Sequence, residues 1–153
     1  MKRNQMIKLM EYPLTDAGNA ARLHEIFGKK WVYMPKFRKW MQWDGHCLQT
    51  VKAETLCLAA AEAFENLAAA ICHLPATADP QEQKQRLAAL NWLLRSRVPF
   101  HTRTAVKELK KLQMAEQNET HAGAACQKWQ AAFFVCLSPA TPVPEKVQVF
   151  FFF

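Results

Sequence analysis

A strongly apolar segment from Thr55 to Leu74 constrains the fold of this chain more than any other feature. Its apolar residues recur at intervals of three and four, so an α-helix would align them in one stripe. The stripe contains Leu56, Ala60, Ala63, Phe64, Leu67, Ile71 and Leu74. Glu62, Glu65 and Asn66 interrupt the segment, and a bilayer penalises such residues near the middle of a spanning helix. The segment is therefore predicted to be a core helix of a domain without membrane association.

Another helix is predicted in front of this segment, after a basic leader. It begins at Thr15 or Asp16, either of which can cap the first turn, and it runs to Phe27, with Gly28 as its stop. Small residues on successive turns between Asp16 and Ala21 allow another backbone to approach closely. Tight packing is expected at this end of the helix.

Two more helices are predicted after the apolar segment. One starts at Pro80, because Asp79 can cap it and Glu82 can complete a capping box, and it ends before Pro99. The next begins near Thr102 and carries a basic stripe on one face. The residues predicted to be buried on these helices are Leu87, Leu90, Leu94, Ala105, Leu109 and Leu112.

A small sheet is predicted between the helix that ends at Phe27 and the apolar helix that starts at Thr55. Residues 30–34 alternate in the manner of a half-buried strand, and Pro35 ends or bends that strand. Residues 40–48 form a hairpin, in which Asp44-Gly45 predicts a type I′ turn. The chain is therefore predicted to be an α+β protein, mainly α, with a helical domain and a small N-terminal antiparallel sheet.

The C-terminal part is predicted to add an apolar helix over residues 126–136 before a Pro-rich break. We assign residues 1–137 to a single domain and residues 138–153 to a Pro-rich and Phe-rich tail. The last residues, Val147–Phe153, are strand-like and contain four consecutive phenylalanines. Such a segment promotes aggregation unless it packs onto the domain or onto a partner.

Positive charge is concentrated in the N-terminal third of the chain. The formal net charge is +7, and residues 1–52 hold ten basic residues against four acidic ones, a net charge of +6. Clustered Lys and Arg raise the local concentration of polyanions such as nucleic acid. The asymmetry favours an anionic partner, although solubility alone also favours positive charge.

The cysteines and the N-terminus indicate a cytoplasmic protein. Five cysteines are an odd number, and they include no Cys-x-x-Cys pair, which argues against a disulfide scaffold. Polar and basic residues interrupt the first ten positions, so a secretory signal is not expected there. A reducing cytoplasm is the expected compartment.

Basic and aromatic residues interleave along the predicted sheet, a composition that suits single-stranded nucleic acid. Phosphate contacts are expected from Lys29, Lys30, Lys36, Arg38 and Lys39, and base stacking from Tyr33 and Trp40. The basic stripe on the helix after Thr102 adds Arg103, Lys107 and Lys110, and together with Arg95, Arg97 and Lys111 it forms a second candidate phosphate surface. In the alternative interpretation, the tryptophans face the core and the lysines form a solvated outer face.

No catalytic, metal or cofactor site is predicted. Histidines and cysteines occur without a recurrent ligand spacing, and the sequence contains no P-loop, Gly-x-Ser-x-Gly or paired-carboxylate signature. An enzyme would have to use His24, His46 or Cys47, which no supporting constellation surrounds. The expected protein is non-enzymatic and has no cofactor.

Three stretches follow the order of a known family pattern. They are Leu14–Leu23, which contains Thr-Asp-Ala-Gly-Asn-Ala-Ala-Arg, then Trp31–Pro35, and then Lys39–Gly45, which contains Trp-Met-Gln-Trp-Asp-Gly. Residues 12–112 resemble the N-terminal domain of poxvirus-type primase-helicases, including those of phages and plasmids. The resemblance implies a domain that precedes a superfamily 3 helicase in DNA replication proteins. This sequence contains no Walker loop, so the resemblance implies no motor activity.

Two functions are consistent with these features. The first is a DNA-associated module of a replication protein, which binds single-stranded or duplex DNA or supports assembly of the replication machinery. The second is a small phage-type interaction module or inhibitor, which docks on a replication or host protein.

Overall fold

The computed structural model of the protein describes residues 3–28 and 30–119. The helices in this part of the chain are α1 (Arg3–Glu11), α2 (Asp16–Phe27), α3 (Ala53–Cys72), α4 (Pro80–Ser96) and α5 (Pro99–Glu119). The strands are β1 (Trp31–Met34), β2 (Lys39–Trp43) and β3 (Leu48–Val51), with a short 3-10 helix over Pro35–Phe37. The predicted α+β class, mainly α with a small antiparallel sheet, is confirmed. The domain boundary at residue 137, the helix over residues 126–136 and the tail lie outside the described residues.

The predicted apolar stripe forms the centre of the core. Six of its seven residues are buried on α3, and Leu74 packs against the core from just beyond the helix. Helix α3 packs on α4 and α5, and α2 packs on α5. By length and composition alone, α3 could also cross a membrane, but the core helices of many domains pass the same test. Glu62 and Glu65 lie exposed, away from the buried stripe.

The N-terminal leader is a helix, which the sequence reasoning did not predict. Met6 and Leu9 of α1 are 4% and 2% exposed, and both belong to the main core. Lys8 Nζ lies 2.6 Å from Glu25 Oε1 and links α1 to α2. The leader is therefore part of the core rather than a basic extension.

The start of α2 confirms the predicted cap and the close backbone approach. The Thr15 hydroxyl accepts a hydrogen bond from the Gly18 backbone N–H at 3.1 Å. A Cβ atom on Gly18 would lie 1.9 Å from the carbonyl oxygen of Pro13, a distance that no side chain could occupy. Glycine is required at this position because the preceding segment crosses the helix at backbone contact.

Arg22 is a fully buried cation that ties the end of α1 to α2. Its guanidinium donates hydrogen bonds to the carbonyl oxygens of Leu9, Tyr12 and Pro13 and to the side-chain oxygen of Asn19. Burial lowers the pKa of Arg22 to about 10, so the group stays charged at neutral pH. These carbonyls lie at the C-terminal end of α1, where a helix leaves its last carbonyls unpaired and favours a positive charge.

Asn19 extends this network into α4. Its amide nitrogen donates to Ser96 Oγ at 2.8 Å, and its amide oxygen accepts from Trp92 Nε1 at 3.1 Å. Asn19 and Ser96 are both fully buried. A satisfied polar network of this kind fixes how the helices meet, because any shift would leave a buried polar group unpaired.

Two predictions for α4 need correction. Leu87 and Leu94 are 59% and 45% exposed, whereas Ala89, Leu93 and Ser96 face the core. The leucines at 87, 90 and 94 form an apolar stripe, but the buried face is rotated away from it because Ser96 must reach Asn19.

Asp79 caps α4 by accepting a hydrogen bond from the Gln81 N–H. The Glu82 carboxylate accepts from the Thr77 hydroxyl and the Arg86 guanidinium.

The three strands form one antiparallel sheet in the order β1-β2-β3. One face, with Trp31, Tyr33 and Trp40, belongs to the main core, and the Phe27 and Trp31 rings stack at 3.9 Å. Met34, Met41 and Leu48 form a separate apolar cluster with Val32 and Trp43, and by strand alternation this cluster lies on the opposite face.

The β2–β3 connection is not the predicted type I′ turn. That turn requires positive φ at both central residues of the predicted turn, and Gly45, with φ of +108°, meets this requirement while Asp44 does not. The Asp44 carboxylate instead accepts hydrogen bonds from the backbone N–H groups of His46 and Cys47, both at 2.8 Å. These bonds hold the pKa of Asp44 below its ordinary value.

Glutamine side chains of α5 close the outer edge of β1. Gln113 Oε1 accepts from the Tyr33 N–H, and Gln113 Nε2 donates to the Trp31 carbonyl, each at 2.8 Å. Gln117 Nε2 donates to the Tyr33 carbonyl at 3.1 Å. The two amides thus replace the hydrogen bonds of a neighbouring strand.

Replacing Arg22 with Met should lower the free energy of unfolding by about 3 kcal/mol, because buried carbonyls at the end of α1 lose their donor. Arg95→Met is the control, since Arg95 is an exposed arginine of α4. Urea denaturation of the two variants measures the difference. Equal stabilities would contradict the structural role of Arg22.

Replacing Gln113 with Met should cost about 3 kcal/mol, because the Tyr33 N–H and the Trp31 carbonyl would be left buried without partners. Gln85→Met changes an exposed glutamine of α4 in the same way and should have little effect. The comparison uses the midpoints of thermal or urea unfolding. A loss no larger for Gln113→Met than for the control would show that the edge does not need the amide.

Candidate nucleic-acid interface

An open groove of about 540 Å³ runs between α3, α5 and the end of the sheet. The first half of α3 supplies one wall, with Glu54, Cys57 and Leu58. Helix α5 supplies the other wall, and Trp40 of β2 lies at the sheet end. Because β3 leads through Lys52 directly into α3, a one-residue connection joins the α3 wall to the sheet.

Four cations line this groove and face a single lining carboxylate. The cations are Arg97, Arg103, Lys107 and Lys110, and the carboxylate belongs to Glu54. The three α5 cations are spaced by four and three residues, so they project from one helical face. The predicted basic stripe therefore lies on a concave surface, where like charges raise the local potential more than they do on a flat face.

Two of the four groove cations have other contacts. Arg97 forms an ion pair with Glu65 at 3.1 Å, and both side chains are substantially exposed. Lys110 Nζ lies 4.3 Å above the centre of the Tyr33 ring, a cation–π arrangement. Arg103 and Lys107 are exposed and form no ion pair within the described part of the chain.

Tyr33 and Trp40, the predicted base-stacking residues, are buried in this conformation. Their side chains are 6% and 7% exposed, and both belong to the main core. The two rings meet edge to face at 5.4 Å, and Lys110 covers the Tyr33 ring. A ring must present an open face to stack on a base, and neither ring does. For these two side chains the alternative interpretation, aromatics facing the core, describes the structure.

Three of the predicted sheet cations lie at the turn between β1 and β2. Lys36, Arg38 and Lys39 are all exposed, and Arg38 has a left-handed backbone with φ of 52°. Lys39 directly precedes Trp40, so this basic turn adjoins the groove. Strand alternation nevertheless directs Lys39 to the face opposite Trp40.

The remaining two predicted cations are not brought to the groove. Lys30 is exposed, and its carbonyl oxygen accepts from the Trp43 N–H at the far end of the β1–β2 pair. Lys29 lies outside the described residues. The predicted cation set thus divides into a groove group, a turn group and Lys30.

Arg97 was predicted as part of a basic surface, whereas Glu54 was not predicted to line this site. Arg97 follows α4 directly, and only the packing of α3 against α5 brings it to the groove wall. The Pro99 stop, which the sequence shows, indicates a corner after Arg97, but it does not show which surface that corner faces.

The described residues do not present a catalytic constellation around the groove. Cys57 is the groove's thiol, and burial raises its pKa, which disfavours the nucleophilic thiolate. His24 Nε2 lies 3.3 Å from a carboxylate oxygen of Glu116 on a different surface. Within residues 3–28 and 30–119, no three His, Cys, Asp or Glu side chains are grouped as metal ligands. The four lining cations make the groove a candidate site for an anionic ligand.

Comparisons with family models, curated proteins and solved structures gave no match for this chain.

Proposed function

We propose that this protein is a non-enzymatic nucleic-acid-binding module of the replication type, which contacts the phosphate backbone through the groove. The observation that carries the proposal is the convergence of four cations on a groove with one lining carboxylate. Phosphate contacts bind mainly by releasing condensed counterions, and they need clustered cations rather than base-specific groups. The basic turn at Lys36, Arg38 and Lys39 would extend the same contact beyond the sheet end.

The replication context of this proposal comes from the resemblance to primase-helicase N-terminal domains. Four residues of its first motif have structural roles in this chain: Thr15 caps α2, Gly18 meets Pro13, and Asn19 and Arg22 are buried. Residues with these roles stabilise the fold and do not indicate which ligand the protein binds. The choice of DNA as the partner therefore rests on the groove and on the net charge.

The groove cations should account for most of the salt dependence of DNA binding. In the triple variant Arg103→Gln, Lys107→Gln and Lys110→Gln, the slope of log K against log salt for duplex DNA should flatten by about 2.7, since each phosphate contact contributes about 0.9. Fluorescence anisotropy of labelled duplex and single-stranded DNA across a salt series measures the slope.

The matched control removes the same charge from the basic turn, with Lys36→Gln, Arg38→Gln and Lys39→Gln. Its slope should flatten by less than that of the groove variant. Equal flattening would assign the effect to net charge alone. An unchanged slope in the groove variant would rule out the groove as the phosphate site.

A protein partner is the second candidate, and apolar exposure at the groove favours it. Leu58 on the α3 wall is 74% exposed, and Phe100, which follows the lining residue Pro99 but does not itself line the groove, is 70% exposed. Large exposed apolar side chains beside a basic surface fit an acidic, amphipathic protein segment. Leu58→Ser separates the candidates, because it should weaken such a protein contact and leave the DNA salt slope unchanged.

A further inference from the structure

The groove differs from the single-strand surface that the sequence predicts, because its described lining residues present no open aromatic ring. Trp40 lines the groove but is 7% exposed, and its ring meets the Tyr33 ring edge to face. Lys110 in turn lies over the Tyr33 ring. Proteins that bind single strands stack successive bases on aromatic faces. The described part of the groove therefore lacks the contact that favours single strands.

The groove walls are also poor in side chains that read base edges. Such reading uses Asn or Gln on adenine, a carboxylate on cytosine, or Arg on guanine. The described lining residues include no Asn or Gln, and the Thr102 hydroxyl donates to the Pro99 carbonyl at 3.2 Å. Glu54 supplies the lining carboxylate, which would repel the phosphates on either side of any base that it met. Cations are the groups that remain to hold nucleic acid.

The shape of the site opposes contact between its arginines and guanine bases. A helix that reads bases projects from the protein and enters the major groove of DNA. Helix α5 is instead one wall of an open concavity of about 540 Å³, and α3 is the other wall. A concave surface receives a convex partner, and the sugar–phosphate backbone is the convex part of a duplex.

The cations of α5 are spaced to follow one strand of that backbone. Arg103 and Lys110 are seven residues apart, which is about 10 Å along the helix axis. Phosphates of one strand recur about every 3.4 Å of the duplex axis, so this length covers roughly three of them. Glu54 lies on the opposite wall, in the first turn of α3, and its charge directs phosphates toward α5. A strand that follows α5 therefore brings about one phosphate to each of the three α5 cations.

We propose that the groove binds duplex DNA along one backbone strand, without contact to the bases, and therefore prefers duplex to single-stranded DNA. This inference rests on the proposed function and specifies its substrate. When phosphates alone are contacted, affinity follows counterion release, which is about 0.9 per contact on a duplex and about 0.7 on a single strand. Three such contacts favour the duplex about fourfold at roughly 0.1 M salt.

Titrations of the unaltered, full-length protein against three labelled probes test this inference by fluorescence anisotropy. The probes are a short duplex, one of its strands, and the same strand with every base replaced by an abasic site. The duplex should bind about fourfold more tightly than the strand. The strand and its abasic form should bind equally, because one stacked base would contribute about fivefold or more to affinity. A duplex of permuted sequence should bind as tightly as the first.

The triple glutamine variants of the groove and of the basic turn test where the preference arises. The groove variant should bind the duplex and the strand with nearly equal affinity, because the phosphate contacts that distinguish them are gone. The turn variant removes the same charge and should keep the preference. Circular dichroism of both variants checks that the helices remain folded.

Three results would overturn the inference, and they differ in what they leave standing. A strand that binds as tightly as the duplex, or an abasic strand that binds about fivefold or more weakly than the normal strand, would show base contact and leave the proposed function in place. A duplex preference that persists in the groove variant would assign it to another surface. Absence of binding to every probe would overturn the proposed function and this inference together.

Discussion

A buried guanidinium held by backbone carbonyls sets the arrangement of the N-terminal half. Arg22 can remain charged in the core only while the carbonyls of Leu9, Tyr12 and Pro13 converge on it. These carbonyls are available because α1 ends there, and Gly18 allows the segment that contains Pro13 to touch α2. The end of α1, the start of α2 and the small residues between them therefore act together to offset the desolvation cost of burying the Arg22 charge.

The same hydrogen-bond network explains why the motif that contains Asn19 and Arg22 stabilises the fold. Asn19 accepts a hydrogen bond from Arg22 and also bonds to Ser96 and Trp92, so the motif positions α4 as well. His101 lies at the start of α5, and its Nδ1 is 2.8 Å from an Asp16 oxygen. A short polar stretch thus positions three other helices, and its residues are not free to contact a ligand.

Patterns that depend on neighbouring residues could be predicted, whereas long-range pairings could not. The α3 stripe, the Thr15 cap and the Pro80 start follow from spacing and local chemistry, and the structure has all three. The α4 face was misassigned because Ser96 meets Asn19, a residue 77 positions away. Tyr33 and Trp40 are typical of both a core and a base-stacking surface, and their burial is decided by α5, which the local sequence does not show.

Helix α5 couples the candidate groove to the stability of the sheet. Lys110 and Gln113 are three residues apart, so the face that presents a groove cation also presents the amide that closes the β1 edge. The Gln113 bonds fix α5 against β1, and this contact places Lys110 over Tyr33 and beside Trp40. Loss of those bonds would move the cations relative to the groove wall formed by α3. The geometry of the proposed anion-binding groove is therefore only as well ordered as the sheet edge that α5 closes.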